Sequence, residues 1–536
     1  MRSRVIAIAA ACSAILGLAQ EGEAPPAIAQ GGIVNFASRM PPQLPSGAVA
    51  PGSLIRIRGW RLGPAPVNKV IVRIHRVDTS VETGALSVSE NEIKARLPEN
   101  VPAGAAMLQV IKNGQASLDW PVTIAESSFG VFSRNGQGWG PGEISNVNGV
   151  PNSEDRPAKP GESVSLAGTG LGSATHRGSP PQVLIAGLAA GAVRALPPTP
   201  ARPGVDTIAF TLPAEAPEGC HVPVIVNSAP GIYSNAVTIA VGRTGKPCHD
   251  GTAWTSAAAN HSVRLATVAL VHADLEMAVS SQDSPKYVVD AGMASFVQTD
   301  SNSVAPMFLL PPVGTCTTYT GTAGLHSVTS PLTVLAAMPG KPLDAGPSVT
   351  VRGQAGEQPL PATESGGVYW HVIGGRPPVP GIKDLPLFLT PGDYQVTAPG
   401  AAGVGAFQTS VRVSPPLEWQ NREDLAEIDR ARGGSVTWQS SAKSGYVAIV
   451  AMNDDSRSGA LGLCACLANA ASGSFQIPAY ALANIPPTAA HPRGFPLNLV
   501  LLAELPDISV TTPMAGGLDR VLSFAISVSA RTIRFK

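Results

Sequence analysis

The chain has 536 residues, too many for one hydrophobic core and a length that suggests about three to five domains. Its 37 basic and 37 acidic residues give a formal net charge of zero. No basic run carries interleaved aromatics, which excludes nucleic acid as an expected partner. Glycine (56) and proline (51) are spread between short apolar runs, charged residues make up only 14% and hydrophobic residues 44%. That composition predicts many turns, several cores and a β-rich exported protein rather than a helical cytosolic one.

At the N-terminus, Arg2 and Arg4 precede the apolar run "VIAIAAACSAILGL", which is too short and too early for a membrane span. Small-residue cleavage signals follow at Ala19 and, as "AIA", at Ala27–Ala29. Residues 1–29 are read as a Sec-type signal peptide. Cys12 interrupts the apolar run, and "AAAC" lacks the leucine of a lipoprotein signal. After residue 30 no apolar run approaches the ~18–20 residues needed to cross a bilayer. The expected location is therefore extracellular or cell-surface, with the periplasm as the other possibility.

Two stretches then repeat one pattern: "VAPGSLIRIRGWRLG" (49–63) and "AKPGESVSLAGTGLG" (158–172) align at an offset of 109, taking Pro160 onto Pro51. Further on, "NEIKARLPENVPAG" (91–104) matches "DTIAFTLPAEAPEG" (206–219) at an offset of 115, which also relates the "VTIA" at 122–125 to that at 237–240. The two offsets differ by one six-residue insertion, placed in the proline-rich "RALPPTPARPG". Each copy sets a Pro-Gly turn, a strand alternating with period two, a second strand ending in "LP" and a closing hairpin. Short strands with turns every ~8–12 residues, over roughly 100 residues, predict an immunoglobulin-like sandwich. The expected fold class is all-β, with tandem sandwiches at 30–126 and 127–243 followed by further β-rich domains.

The segments "GIVNFASRM", "FGVFSRNGQGWGPGEISNVNGVPNSEDRPAKPGESVSLAGTGLG" and "SNAVTIAVG" resemble a family of exported acidobacterial proteins with tandem IPT/TIG-like domains. The resemblance covers about 31–243 and continues more weakly through "DAGPSVTV", "LFLTPGDYQV", "PPLEW" and "ASGSFQIPAY". It implies fold and export and supplies no catalytic residues. At "RIRGWRLG" this chain is more basic and aromatic than the family pattern.

Beyond the repeats, β-rich domains are expected at 244–340, 341–415 and 416–536. In "ATVALVHADLEMAVS", Val271, Ala273, Leu275, Met277 and Val279 share one strand face, and His272, Asp274 and Glu276 the other. Tyr394 follows the Pro-Gly turn of "LTPGDYQV", the place of a tyrosine whose hydroxyl bonds back to the backbone at a strand corner. Within 416–536 only "NREDLAEIDRAR" (421–432) has helical spacing.

His272, Asp274 and Glu276 could ligate a metal from one strand face, but the expected reading is a solvated face, on which alanine at 272 and 274 would cost within about 0.5 kcal/mol. "NDDSRSG" (453–459) lacks the spaced acids and terminal glutamate of an EF-hand and reads as a solvated hairpin loop. "GRTGKP" fails the phosphate-loop pattern at Ala240 and Pro247. The "GTGLG" at 168–172 is explained by the repeat, and no GxSxG or HExxH occurs. A triad assembled in space is not excluded by sequence. No catalytic, cofactor-binding or metal-binding residue is assigned, and no cofactor is expected.

The six cysteines become five without Cys12, and an exported protein favours disulfides among them. Cys220 opens one arm of a hairpin whose other arm ends near Val241, so Cys248 returns to its level. From the strand pattern, Cys316 can be reached by either Cys464 or Cys466. The family's recurrent cysteine stands seven residues before Gly473, and the resemblance thereby implies Cys316–Cys466. The favoured function is a non-catalytic adhesive, binding or spacer protein whose partner is an extracellular protein or a glycan. The alternative is a secreted carbohydrate-active or other hydrolase with its site in 244–536.

Overall fold

A computed structural model describes residues 24–172, 180–248, 262–278, 284–299, 310–322, 340–364, 366–377, 384–441, 444–455, 457–489, 497–505, 509–511 and 517–536. The apolar run of the expected signal peptide lies outside them. The fold is all-β: among the described residues the one α-helix is the single turn Ala479–Leu482.

In the first repeat, the sheet order by strand is Ala27–Asn35, Leu54–Trp60, Glu92–Arg96, Ser80–Val88, Val70–His75, Gly104–Lys112. The Ser80–Val88 strand belongs to both layers. Its first half pairs with Val70–His75, and its second half, after a register shift at Ala85, pairs with Glu92–Arg96. The sheet folds over at that strand and encloses Ile55, Ile57, Val72, Ile93, Leu108 and Val110, the alternating positions that period two predicts. In the second repeat the equivalent strand is broken into Leu188–Ala189 and Gly191–Leu196, and two separate sheets result. Their shared core holds Val164, Leu166, Phe210, Val224 and Ile239.

The repeated glycines have specific causes. Gly52 and Gly161 have φ of +78° and +83°, the left-handed conformation required at a Pro-Gly turn. A Cβ on Gly59 would lie 2.0 Å from the Ala27 carbonyl oxygen, and one on Gly168 2.4 Å from that of Gly130. The insertion falls where the offsets place it: residues 89–91 link the two strands in the first copy and residues 197–205 in the second, six more. The longer loop is used at the junction of the repeats. Thr169 Oγ1 accepts from the Leu54 N–H (2.8 Å) and donates to the Gly204 carbonyl (2.5 Å). Beside it, buried Asn35 donates to the carbonyls of Ser128 and Thr169, both at 3.0 Å. These bonds satisfy buried backbone groups of both repeats at once.

Residues 263–532 build one ten-stranded sheet. Its order runs Thr315–Thr322, Ala460–Asn469, Tyr446–Asp455, Leu499–Leu505, Arg520–Thr532, Val263–Glu276, Lys286–Thr299, Lys341–Pro342. Val368–Gly375 adds to Lys286–Thr299, and Ser509–Thr511 to Arg520–Thr532. Strands from 244–340, 341–415 and 416–536 therefore share a sheet rather than standing as separate beads. The physical link is the parallel pairing of Val263–Glu276 with Arg520–Thr532 in the middle of the sheet. Smaller sheets cover it: a four-stranded one (348–361 and 392–413) over one core and short pairs from 418–439 and 474–477 over another.

Tyr394 closes the first cover as expected. Buried, its hydroxyl accepts from the Thr390 N–H (2.8 Å) and can donate to the carbonyls of Phe388 (3.0 Å) or Thr390 (3.1 Å). Tyr394→Phe should lower the unfolding free energy by about 1–2 kcal/mol, the cost of a lost buried hydrogen bond, read as a shift in urea midpoint.

The 421–432 segment is not a helix. It forms turns and the short strand Glu427–Ile428, paired in parallel with Arg534–Phe535. The Lys536 N–H donates to the Ile428 carbonyl (2.9 Å) and that of Arg534 to Ala426 (3.0 Å). The chain end supplies the partners that an isolated two- to three-turn helix would have had to find within itself.

Candidate functional site

One cross-strand row runs over the centre of the ten-stranded sheet. Asp290 pairs in register with His272, His272 with Ser527, and Ser527 with Glu504. Four adjacent strands thus place four polar residues in line. His272 Nδ1 lies 2.7 Å from Asp290 Oδ1. The other oxygen, Oδ2, accepts from the N–H groups of Phe388 (2.7 Å) and Leu389 (2.8 Å). Asp290 is fully buried; with Nδ1 donating to it, Nε2 is left for another partner. Ser527 Oγ accepts from the Leu417 N–H (3.1 Å) and keeps its own proton to donate.

Glu504 is buried and accepts from Ser440 Oγ. Burial raises its pKa against the smaller opposing effect of that hydrogen bond. A carboxyl with a raised folded pKa favours the fold below its ordinary range and loses that contribution as pH rises through the folded value. Glu504→Gln should therefore be more stable than wild type at pH 7–8. The difference should shrink as pH falls through the raised folded value toward the ordinary carboxylate range and be gone below it, as thermal melts across pH would record.

Above the row opens a cleft of about 590 Å³. It lies where the four-stranded cover ends and the linker 414–416 passes to the next cover. His272, Glu504 and Ser527 line it with Ser410, Ser414 and Ser444. Its wall is Leu389, Pro391, Pro415 and Pro416. At the rim, Arg412 and Asp393 stand 3.7 Å apart and both are exposed, so they offset one another at little net energy.

The expected solvated face is corrected here. His272, Asp274 and Glu276 do share one face, but it is only partly open: the His272 and Asp274 side chains are 20% and 43% exposed and Glu276 is buried. Asp274 binds Arg422 at 2.7 Å, and Glu276 lies 3.3 Å from Arg531 and 3.6 Å from Arg422. The Arg422 and Glu276 side chains are only 9% and 8% exposed. Alanine at 272 and 274 thus breaks contacts to a buried carboxylate and a buried guanidinium, at a cost of several kcal/mol rather than a few tenths. His272 turns to Asp290, while Asp274 and Glu276 share Arg422. Among the described residues no group of three or more His, Cys, Asp or Glu side chains is placed to hold a metal.

In "NDDSRSG", Asn453 and Asp454 are buried ends of a strand. Only the tip is a turn, where Asp455 accepts from Ser458 Oγ (2.6 Å). Cys220 is bonded to Cys248 and Cys316 to Cys466, while Cys464 is a buried free thiol. Sequence reading found His272 and missed Asp290, Glu504 and Ser527. A usable signal was present: a lone carboxylate inside an apolar strand, in "YVVDAGMASF" and "LNLVLLAEL", is costly unless it has a partner.

No family model and no curated protein matches this chain. Solved structures similar to it include the Bacteroides ovatus mixed-linkage glucan utilization locus SGBP-B in complex with mixed-linkage heptasaccharide. That match has 12% identity and a TM-score of 0.15, and covers 77% of this chain and 79% of that one. Domains 5-6 of the S-layer protein SbsC share 11% identity with a TM-score of 0.18, covering 41% of this chain and 99% of that one. Sidekick-1 immunoglobulin domains 1-4 share 10% identity with a TM-score of 0.12, covering 95% and 100%. At these TM-scores none of the likenesses bears on what the chain binds.

Proposed function

We propose that this is an exported, non-catalytic binding protein. Its tandem N-terminal sandwiches act as a stiff spacer, and the cleft over the ten-stranded sheet holds the ligand. The observation that carries this reading is the cleft floor. Its polar groups are held in place by the sheet register and by the buried Asp290, so little ordering is needed on binding. The junction of the two repeats through Asn35 and Thr169 supports the spacer role.

With export, cleavage of the leader is expected, and the strand pairing favours the earlier of the two sites. Ala27 and Ile28 pair with Trp60 and Gly59, and Ile28 is in the core. A cut after Ala29 would remove these pairs; a cut after Ala19 would not. The mature chain is expected to begin at Gln20, as N-terminal sequencing of secreted protein would read. A chain beginning at Gln30 would contradict that choice.

A second reading, a hydrolase, is favoured by one observation: Asp290, His272 and Ser527 stand in the order acid, base, hydroxyl. Against it, Ser527 Oγ bonds to the Leu417 N–H, and no hydrogen bond joins it to His272 among those of the described residues. Fluorophosphonate treatment followed by peptide mapping separates the two. Unmodified Ser527 is the binding protein's result; stoichiometric labelling that His272→Ala abolishes would establish the hydrolase.

A further inference from the structure

We infer that the cleft takes a neutral, polyhydroxylated ring, a pyranose sugar or a short chain of them; this rests on the binding role proposed above. Charge comes first. The His272 ring lies against Asp290, and at the rim Arg412 stands 3.7 Å from Asp393, whose charge offsets its own. No unpaired cation remains among the lining residues to attract a phosphate, sulfate or carboxylate. The remaining charged group, Glu504, is acidic and repels anions.

Hydrogen-bonding pattern comes second. Neighbouring strands are ~4.8 Å apart, so His272, Ser527 and Glu504 present an imidazole nitrogen, a hydroxyl and a carboxyl at about that interval in a straight line. His272 Nε2 accepts when Nδ1 carries the proton, Ser527 Oγ can donate, and Glu504 accepts or donates according to protonation; a run of sugar hydroxyls can meet all three. A ligand that only donates or only accepts would leave part of the row unpaired in a buried site, which is costly. Glu504 is the strongest acceptor when ionised, and carboxylates commonly take two adjacent hydroxyls.

Shape comes third. Leu389, Pro391, Pro415 and Pro416 also line the cleft, rigid and apolar, with no backbone N–H from the prolines. A pyranose has the matching two-sided character, a hydroxyl edge and a C–H face. The volume of about 590 Å³ falls within the ordinary range for small-molecule sites.

The test is titration calorimetry of the secreted full chain with cellobiose, maltose, N-acetylglucosamine and galactose, and separately with citrate and inositol hexaphosphate. One-to-one binding of at least one neutral sugar is expected, with both anions silent. Glu504→Gln and Ser527→Val should each weaken that binding at least tenfold while melting within a few degrees of wild type; Glu504→Gln keeps the side-chain shape, so a loss there is not a folding defect. Sugar binding unchanged in both variants overturns the assignment to this cleft. Anion binding that the two variants abolish, with every sugar silent, overturns the ligand class and leaves the binding role standing. Silence of all six probes overturns the ligand class, and the binding role is then judged by envelope extract protecting the cleft from hydrogen exchange.

Discussion

Replacing Cys316 and Cys466 together by alanine should lower the unfolding free energy by about 5 kcal/mol, the chain-entropy value for the 150-residue separation of the pair. The same replacement at Cys220 and Cys248, separated by 28 residues, should cost about 3.5 kcal/mol. Position adds to length. Among the described residues, Thr315–Thr322 is the outermost strand of the sheet on its side and pairs only with Ala460–Asn469, so the disulfide fixes an edge with one described strand partner. Both sulfurs sit in the core with Trp419 and Trp438, whose fluorescence reports the transition in urea. Cys464 does not take over the bond in the native protein, since burial pushes its thiol up to about 12 and leaves almost no thiolate to attack. A loss below 1 kcal/mol for the 316/466 pair would show that the edge is held by packing instead.

Asp290→Ala should cost about 4 kcal/mol and close the cleft to ligand. The substitution orphans the Phe388 and Leu389 N–H groups and the His272 ring together. Removing one partner from a buried charged contact typically costs 3–5 kcal/mol. Asp290→Asn separates stability from site geometry. Its carbonyl oxygen can still accept from the two N–H groups, so its cost should fall to about 1–2 kcal/mol. Its amide N–H₂ cannot accept from Nδ1–H, so the ring must change tautomer or turn. Binding should then fall as far as in the alanine variant while the urea midpoint stays near wild type. Equal loss of stability in both variants would mean that Asp290 acts only as an anchor for 388–389.

What was legible in the sequence followed from local rules. The Pro-Gly turns, period-two strands and glycines of the repeats act within a few residues, and Tyr394 four residues beyond Thr390 acts over the same range. The Cys220–Cys248 pair needed only hairpin geometry. The 421–432 segment misled because its spacing suits a helix, whereas its partners, Arg534–Phe535, lie about a hundred residues away. The polar row was illegible for the same reason. Asp290, His272, Ser527 and Glu504 meet only because Arg520–Thr532 inserts in parallel beside Val263–Glu276, and nothing in either strand specifies that neighbour. The expected wet face of His272, Asp274 and Glu276 was only half right on this point: polar alternation reports a face that needs partners, and here Asp290, Arg422 and Arg531 supply them beside the water that still reaches Asp274.

Hydrogen–deuterium exchange of the full chain, with and without a mixture of neutral oligosaccharides, tests the proposed cleft most directly. Peptides covering 386–393, 410–417 and 521–529 should gain protection, while those covering 54–60 and 163–169 stay unchanged. Protection confined to the two N-terminal repeats, with the three cleft segments unmoved, would contradict the assignment of the binding site to the ten-stranded sheet.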